Sequence, residues 1–116
     1  MNDLPEGRSD AVVVVLTTAP DLAVAESLAT HVVEERLGAC VNVLPGVTSI
    51  YRWEDGLQRD TELLLLIKTT AGSVRALRDR IVDLHPYDVP EVLALPIAEG
   101  HGPYVDWICD SVGHAR

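Results

Sequence analysis

The pattern of hydrophobic and polar residues divides this chain into segments. Some segments have the pattern of a strand and others have the periodicity of a helix. The run over 11–18 is apolar and β-branched at consecutive positions, which is typical of a strand buried on both faces. Apolar residues then recur every three or four positions to about Leu37, which predicts an amphipathic helix. Asp21 suits the first turn of this helix, and Gly38 supplies a stop after its last turn.

The rest of the chain continues with the same two periods. Residues 40–53 predict a second strand, in which Pro45 and Gly46 indicate a bulge because proline lacks a ladder donor. An Asp-Gly pair within 54–60 predicts the turn of a hairpin. The elements expected after this turn are a strand over 61–70, a helix that Ser73 caps and His85-Pro86 ends, a strand over 89–97, and a short helix that begins near Pro103.

This order of elements predicts an α+β fold. Two right-handed β-α-β crossovers joined by a central hairpin form a ferredoxin-like βαββαβ sandwich, here followed by a C-terminal helix. Such a sandwich has one antiparallel sheet with both long helices on one face. We expect a single domain over 11–113, and we expect residues 1–10, which are polar and contain Pro and Gly, to form a flexible tail.

The first and third predicted strands are apolar on both faces, although helices on one side of a sheet require only one apolar face. In the third strand Leu63, Leu65 and Ile67 point one way, while Leu64 and Leu66 point the other. Because such a face usually marks a protein interface, we expect a closed homo-oligomer in which the long hairpin pairs with a neighbouring chain. The alternative is a central strand with a helix on each face.

Composition and charge narrow the classes of function. The 116 residues are 47% hydrophobic and 23% charged, and 18 acidic against 9 basic residues give a formal net charge of −9. An acidic surface disfavours nucleic acid and anionic lipid, and no apolar run reaches the ~18 residues that span a bilayer. Two cysteines form no disulfide framework and the N-terminus lacks a secretory pattern, so we expect a cytoplasmic protein.

Several short motifs occur in one order along the chain. They are Ala39-Cys40-Val41-Asn42, Ser49-Ile50-Tyr51-Arg52-Trp53, Lys68-Thr69-Thr70, His85-Pro86-Tyr87 and Val89-Pro90-Glu91. Together, from about Val12 to Val112, they resemble the CutA family of divalent-cation tolerance proteins. The resemblance implies a ferredoxin-like homotrimer with strands that extend across subunits, similar in architecture to PII-type signalling proteins. It also implies tolerance of divalent cations, copper binding in some members, and no defined catalytic reaction.

Cys40 and His85 are the candidate metal ligands, since thiolate and imidazole suit copper and zinc. Neither belongs to a local metal-binding spacing, so a site would have to assemble through the fold. The alternatives are a small core cysteine and a histidine favoured at a helix end. Family members for which copper binding was proposed resemble this chain except for further sulfur or imidazole groups at positions matching Thr17, Arg80 and Leu84. The resemblance therefore implies weak or conditional binding of copper or another divalent cation, which folding does not require.

A second group of candidates surrounds the hairpin. Glu62 and Lys68 are six residues apart on one predicted strand and so share a face. Charged groups on an apolar strand require partners, so we expect a polar cleft at a subunit boundary. Its expected members are Tyr51, Trp53, Glu62, Lys68, Tyr87 and Glu91. The simpler alternative is a set of interface ion pairs that fixes the register.

Three hypotheses for the function follow from these residues. The first is a non-enzymatic homotrimer that responds to metal ions. The second is a PII-like sensor that binds a small anionic metabolite in the cleft. The third is an enzyme that uses Lys68 or Glu91 as an acid or base, although no set of nucleophile, base and orienting group is visible.

Overall fold

The computed structural model of the protein describes residues 11–113, so the predicted tail over 1–10 lies outside the described residues. Within this range the elements are β1 (Val12–Ala19), α1 (Leu22–Glu34), β2 (Cys40–Trp53), β3 (Gly56–Thr70), α2 (Val74–Leu84), β4 (Leu93–Pro96) and α3 (Gly102–Ser111), with a 3-10 turn at Ala71–Ser73. The strands form one antiparallel sheet in the order β2-β3-β1-β4. The predicted α+β, ferredoxin-like fold with a C-terminal helix is therefore confirmed. None of the helices described is long and apolar enough to cross a membrane.

Helices α1 and α2 lie on one face of the sheet, against the odd-numbered residues of β1 and β3. In the register of these strands Val15 lies opposite Ile67, and both side chains are fully buried against the helices. Asp21 caps α1, because its carboxylate accepts a hydrogen bond of 2.9 Å from the amide of Val24. Each fully buried apolar side chain stabilises the fold by roughly 1.5–3 kcal/mol. Because the two larger clusters of buried side chains lie between this face and the helices, this side of the sheet is the main core.

The hairpin between β2 and β3 turns more tightly than the sequence predicts. The predicted turn over 54–60 is wrong, since Trp53 pairs directly with Gly56. Glu54 has a positive φ of 56°, which the favoured twist of a two-residue hairpin turn requires. The predicted bulge at Pro45-Gly46 is confirmed by a register shift just after Leu44. The hairpin is therefore long, and its tip extends beyond β1.

The end of α1 also differs from the prediction. The helix ends at Glu34 rather than Leu37, and the left-handed residue that follows it is Arg36, with a φ of 60°. The expectation that Gly38 stops the helix is wrong. Gly38 instead provides space, since a Cβ atom at this position would lie 2.7 Å from Cγ2 of Ile67.

Two further boundaries bear on the site. Ser73 occupies the predicted N-cap position of α2, but its side chain makes no capping hydrogen bond. The predicted strand over 89–97 is too long, because β4 begins only at Leu93. Pro90 lacks an amide donor and restricts the residue before it, so the chain between His85 and β4 is irregular. This segment lies beside the hairpin and supplies part of the site.

The second face of the sheet is apolar and largely uncovered by the described part of the chain. Helix α3 covers only the end near Val12, where Ile108 and Val112 form a small cluster with it. Leu93 and Leu95 on β4 remain 56% and 49% exposed. We call this surface the open face. Its apolar members are Val14, Leu16, Leu44, Leu64, Leu66, Leu93 and Leu95.

Thr17 gives a prediction about the core. Its side chain is fully buried on the helix side of β1, and its Oγ1 has no hydrogen-bond partner among residues 11–113. Thr17→Val keeps the shape and removes this unpaired hydroxyl, so we expect the free energy of unfolding in urea to rise by about 1 kcal/mol. Thr69→Val is the matched control, because the buried hydroxyl of Thr69 donates to the Leu37 carbonyl at 2.7 Å. The control should lose stability, and an equal loss in Thr17→Val would contradict the prediction.

Candidate functional site

The structure divides the predicted site residues between two ends of the open face. At one end an open cleft of about 600 Å³ is lined by Tyr51, Trp53, Glu62, Tyr87 and Glu91, among others. At the other end Lys68 donates a hydrogen bond to the side-chain oxygen of Asn42. Glu62 and Lys68 share a face, but six residues of β3 separate them by roughly 20 Å. Within one chain, therefore, Lys68 does not join Glu62 and Glu91 in one cleft, and the cleft expected at a subunit boundary stays a prediction.

His85 is buried, and both of its ring nitrogens have partners. Its Nε2 donates to the backbone oxygen of Thr18 at 2.6 Å, and its Nδ1 accepts from the amide of Tyr87 at 3.1 Å. The rings of His85 and Tyr87 lie 4.6 Å apart. This pairing requires the neutral tautomer protonated at Nε2, in which no nitrogen lone pair is left for a metal. In this arrangement His85 ties the segment after α2 to β1.

Cys40 lies half-buried at the start of β2, directly opposite Lys68, whose Nζ is 3.8 Å from the Cys40 Sγ. Lys68 pairs across the sheet with Val14, whereas His85 contacts Thr18, four residues or roughly 13 Å further along β1. The two candidate metal ligands therefore do not meet within one chain. Over the described range no three His, Cys, Asp or Glu side chains are placed to hold a metal ion. The assignment of Cys40 and His85 as ligands stays a prediction.

The floor of the cleft is built from tyrosine and carboxylate pairs. The hydroxyl of Tyr87 donates to Oε2 of Glu62 at 2.8 Å, and the hydroxyl of Tyr51 donates to a carboxylate oxygen of Asp60. Glu62 is only 7% exposed, so most of its carboxylate is removed from bulk water. The Tyr87–Glu62 pair connects the irregular segment that precedes β4 to the hairpin, whereas the Tyr51–Asp60 pair joins the two strands of the hairpin.

Two acidic residues of the cleft were not predicted. Asp60 was placed in the hairpin turn, but it lies on β3 two residues before Glu62 and therefore shares its face. The two-residue spacing of Asp60 and Glu62 could have predicted this shared face. The prediction was missed because Asp60 was assigned to the turn. Asp88 lies in the irregular segment, where no periodicity exists to place it.

The charges that line the cleft are all negative. Asp60, Glu62, Asp88 and Glu91 contribute carboxylates, and no Lys, Arg or His occurs among the lining residues that the structure describes. An acidic cavity repels anions and raises the local concentration of cations. Within one chain this lining favours neither the anionic metabolite nor the pairing of Lys68 with Glu91 that the sequence hypotheses required.

Both cleft tyrosines remain protonated over a wider pH range than a free tyrosine. Burial, followed by the hydrogen bond and charge of Glu62, raises the pKa of the Tyr87 hydroxyl. The hydrogen bond to Asp60 is the main cause that raises the pKa of Tyr51. The two hydroxyls are therefore hydrogen-bond donors at neutral pH.

The raised pKa values predict a loss of stability at alkaline pH. Above the ordinary tyrosine pKa of 10.0 the unfolded chain releases protons that the folded chain retains, so the free energy of unfolding falls as the pH rises towards the folded pKa. In Tyr87→Phe we expect a shallower fall above pH 10, measured by urea denaturation at several pH values. Tyr104→Phe, an exposed tyrosine on α3, is the control and should keep the slope of the unmodified protein. Equal slopes in all three proteins would contradict the prediction.

Comparison with known proteins finds relatives that match most of this chain. The family model described as "CutA1 divalent ion tolerance protein" matches residues 13–111. "Divalent-cation tolerance protein CutA" of Thermus thermophilus is 54% identical over 100 residues, which cover 86% of this chain and 97% of that protein. "Protein CutA" of Homo sapiens is 47% identical over 91 residues, covering 78% of this chain and 51% of the human protein, so the match spans about half of the latter.

Solved structures give the same result. The divalent cation tolerance protein (Cut A1) of Thermus thermophilus superimposes with a TM-score of 0.86 and 53% identity, covering 88% of this chain and 99% of that chain. CutA1 of Oryza sativa gives a TM-score of 0.87 and 41% identity, covering 90% and 95% of the two chains. The match to the family model covers most of the chain, as do the matches to these relatives and structures. The chain therefore belongs to the CutA1 divalent ion tolerance family, as its motifs predict.

Proposed function

We propose that this protein is a cytoplasmic, non-enzymatic homotrimer that takes part in the tolerance of divalent cations. The observation that supports this proposal best is the open face, on which leucine side chains from all four strands lie exposed or half-buried. A soluble monomer rarely exposes so large a contiguous apolar surface. In a closed ring of three copies, the open face of each copy would pack against the open faces of the other two.

The unpaired backbone of the hairpin supports the same assembly. β2 and β3 contain 14 and 15 residues, whereas β1 contains 8. Within β3 only Leu63–Thr70 pairs with β1, so the segment of β3 from Gly56 to Glu62 has no strand on that side within its own sheet. Such an edge offers free amide and carbonyl groups to a strand of another chain. Strands that extend across subunit boundaries would satisfy these groups.

The metal-binding part of the proposal depends on family membership and on the Cys40 thiol. Because Cys40 and His85 lie apart within one chain, a copper site that uses both of them would have to assemble between subunits. Copper binding at His85 would also require the loss of one of its two ring hydrogen bonds. We therefore propose weak or conditional copper binding rather than a preformed site.

A copper titration of the assembled protein tests this part. We expect Cys40→Ser to weaken copper binding by about tenfold or more, which corresponds to roughly 1.4 kcal/mol. His85→Gln should act in the same direction if both residues are ligands, and the other cysteine gives the control variant Cys109→Ser, which should bind as the unmodified protein does. Unchanged stoichiometric copper binding in both Cys40→Ser and His85→Gln would exclude these two residues as ligands. It would not bear on the proposed trimer, which a measurement of the particle mass tests separately.

A further inference from the structure

The acidic cleft is lined by polar groups whose hydrogen-bonding capacity the described part of the fold leaves partly unused. Thr18 lines the cleft and is 8% exposed, and its hydroxyl has no hydrogen-bond partner among the residues described. Glu62 accepts only one hydrogen bond within the same range, at Oε2, although a carboxylate has about four acceptor sites. Both residues are largely buried and line the cleft, so these free donor and acceptor positions are available to a ligand that enters it.

The chemistry of the walls indicates the class of ligand. Four carboxylates line the cleft, but no three of the metal-ligating side chains in the described part are close enough together to chelate one ion. Spread charges suit a cation that is larger than a metal ion and that carries several donors. The rings of Tyr51, Trp53 and Tyr87 provide faces that attract ammonium and guanidinium groups. A volume of about 600 Å³ lies within the usual range for small-molecule sites.

We infer that this cleft binds a small organic cation, an amine or guanidinium compound whose charged group is held by Glu62 and Thr18. The acids nearer the rim, Asp88 and Glu91, would attract the cation, and Trp53 would cover its apolar part. This inference goes beyond a role in metal tolerance and does not depend on copper binding.

His85 acts in this account as a positioning residue. It holds the backbone of Thr18 on one side and the backbone of Tyr87 on the other, through hydrogen bonds of 2.6 and 3.1 Å. Tyr87 in turn directs the carboxylate of Glu62. The backbone that carries Thr18 and the carboxylate of Glu62 are therefore held relative to each other before a ligand enters, which lowers the entropic cost of binding.

Agmatine, which carries one ammonium and one guanidinium group, is a suitable probe for calorimetric titration of the full-length protein. We expect saturable binding at one site per chain that weakens as salt is added. Glu62→Gln should weaken agmatine binding by about tenfold or more, because the carboxylate charge that pairs with the cation is lost. Since Glu62 is buried, Glu91→Gln provides a second variant with an exposed acid, and circular dichroism verifies that both are folded. Glu34→Gln, an exposed acid on α1, is the matched control and should bind as the unmodified protein does.

Succinate and manganese serve as ligand controls. Tighter binding of succinate than of agmatine would overturn the inference, and so would displacement of agmatine by one manganese ion per site. The absence of saturable agmatine binding would also overturn it. Equal agmatine affinities in the unmodified protein, Glu62→Gln and Glu91→Gln would have the same consequence.

Discussion

A Leu66→Glu variant is expected to lose the proposed trimer and to elute as a single chain of 12.6 kDa. Leu66 lies in the middle of the open face, where it pairs across the sheet with Leu16 on one side and Asn42 on the other. In a separate chain a glutamate at this half-buried position can still reach water. In a closed trimer three copies of the carboxylate would be buried against apolar side chains, at several kcal/mol each. Size-exclusion chromatography with light scattering measures the result.

Val82→Glu is the matched control for this variant. Val82 is 50% exposed on α2, on the side of the sheet opposite the open face. The same charge placed there should leave the mass unchanged, and circular dichroism should show that both variants are folded. If Leu66→Glu keeps the mass of the unmodified protein, the open face is not the subunit interface.

His85→Ala is expected to lower the free energy of unfolding by about 2–4 kcal/mol. The substitution removes two hydrogen bonds and leaves the carbonyl of Thr18 without its partner in a buried region. It also creates a cavity between β1 and the segment after α2, where the ring now packs against Tyr87. Urea denaturation of metal-free protein measures the change, because a metal ligand contributes nothing under that condition.

His31→Ala is the matched control for His85→Ala. His31 lies on α1, where its Nδ1 forms a hydrogen bond of 2.8 Å with the backbone oxygen of Ser27 one turn earlier. Its removal should change stability by less than about 0.5 kcal/mol, as is usual for substitutions at the surface. A similarly small effect of His85→Ala would show that the ring does not hold the two segments together.

Much of the fold could be predicted because the periodicity of apolar residues reflects burial. The consecutive apolar residues of β1 and β3 predicted two apolar faces, and one of these faces packs against α1 and α2. The turns could not be placed with the same accuracy. Arg36 and Glu54 adopt positive φ values that glycine normally favours, so composition directed the expected stops to Gly38 and the Asp-Gly pair instead.

The site was predictable only in part, because two residues on one face of a strand need not lie in one cleft. Glu62 lies near the middle of β3 and Lys68 near its end, so they share a face but are far apart. Tyr87, Asp88 and Glu91 come from an irregular segment, where only the family motifs indicated Tyr87 and Glu91. The two partners of the His85 ring lie on a strand 67 residues away and on the next turn of the chain. No local pattern in the sequence reports such a pairing.

The claim on which this account depends is that copies of the same chain cover the open face. Light scattering of the unmodified protein, measured over a dilution series down to low concentration, tests it most directly. The account predicts a stable particle with about three times the chain mass of 12.6 kDa. A stable, folded particle with the mass of one chain would contradict it.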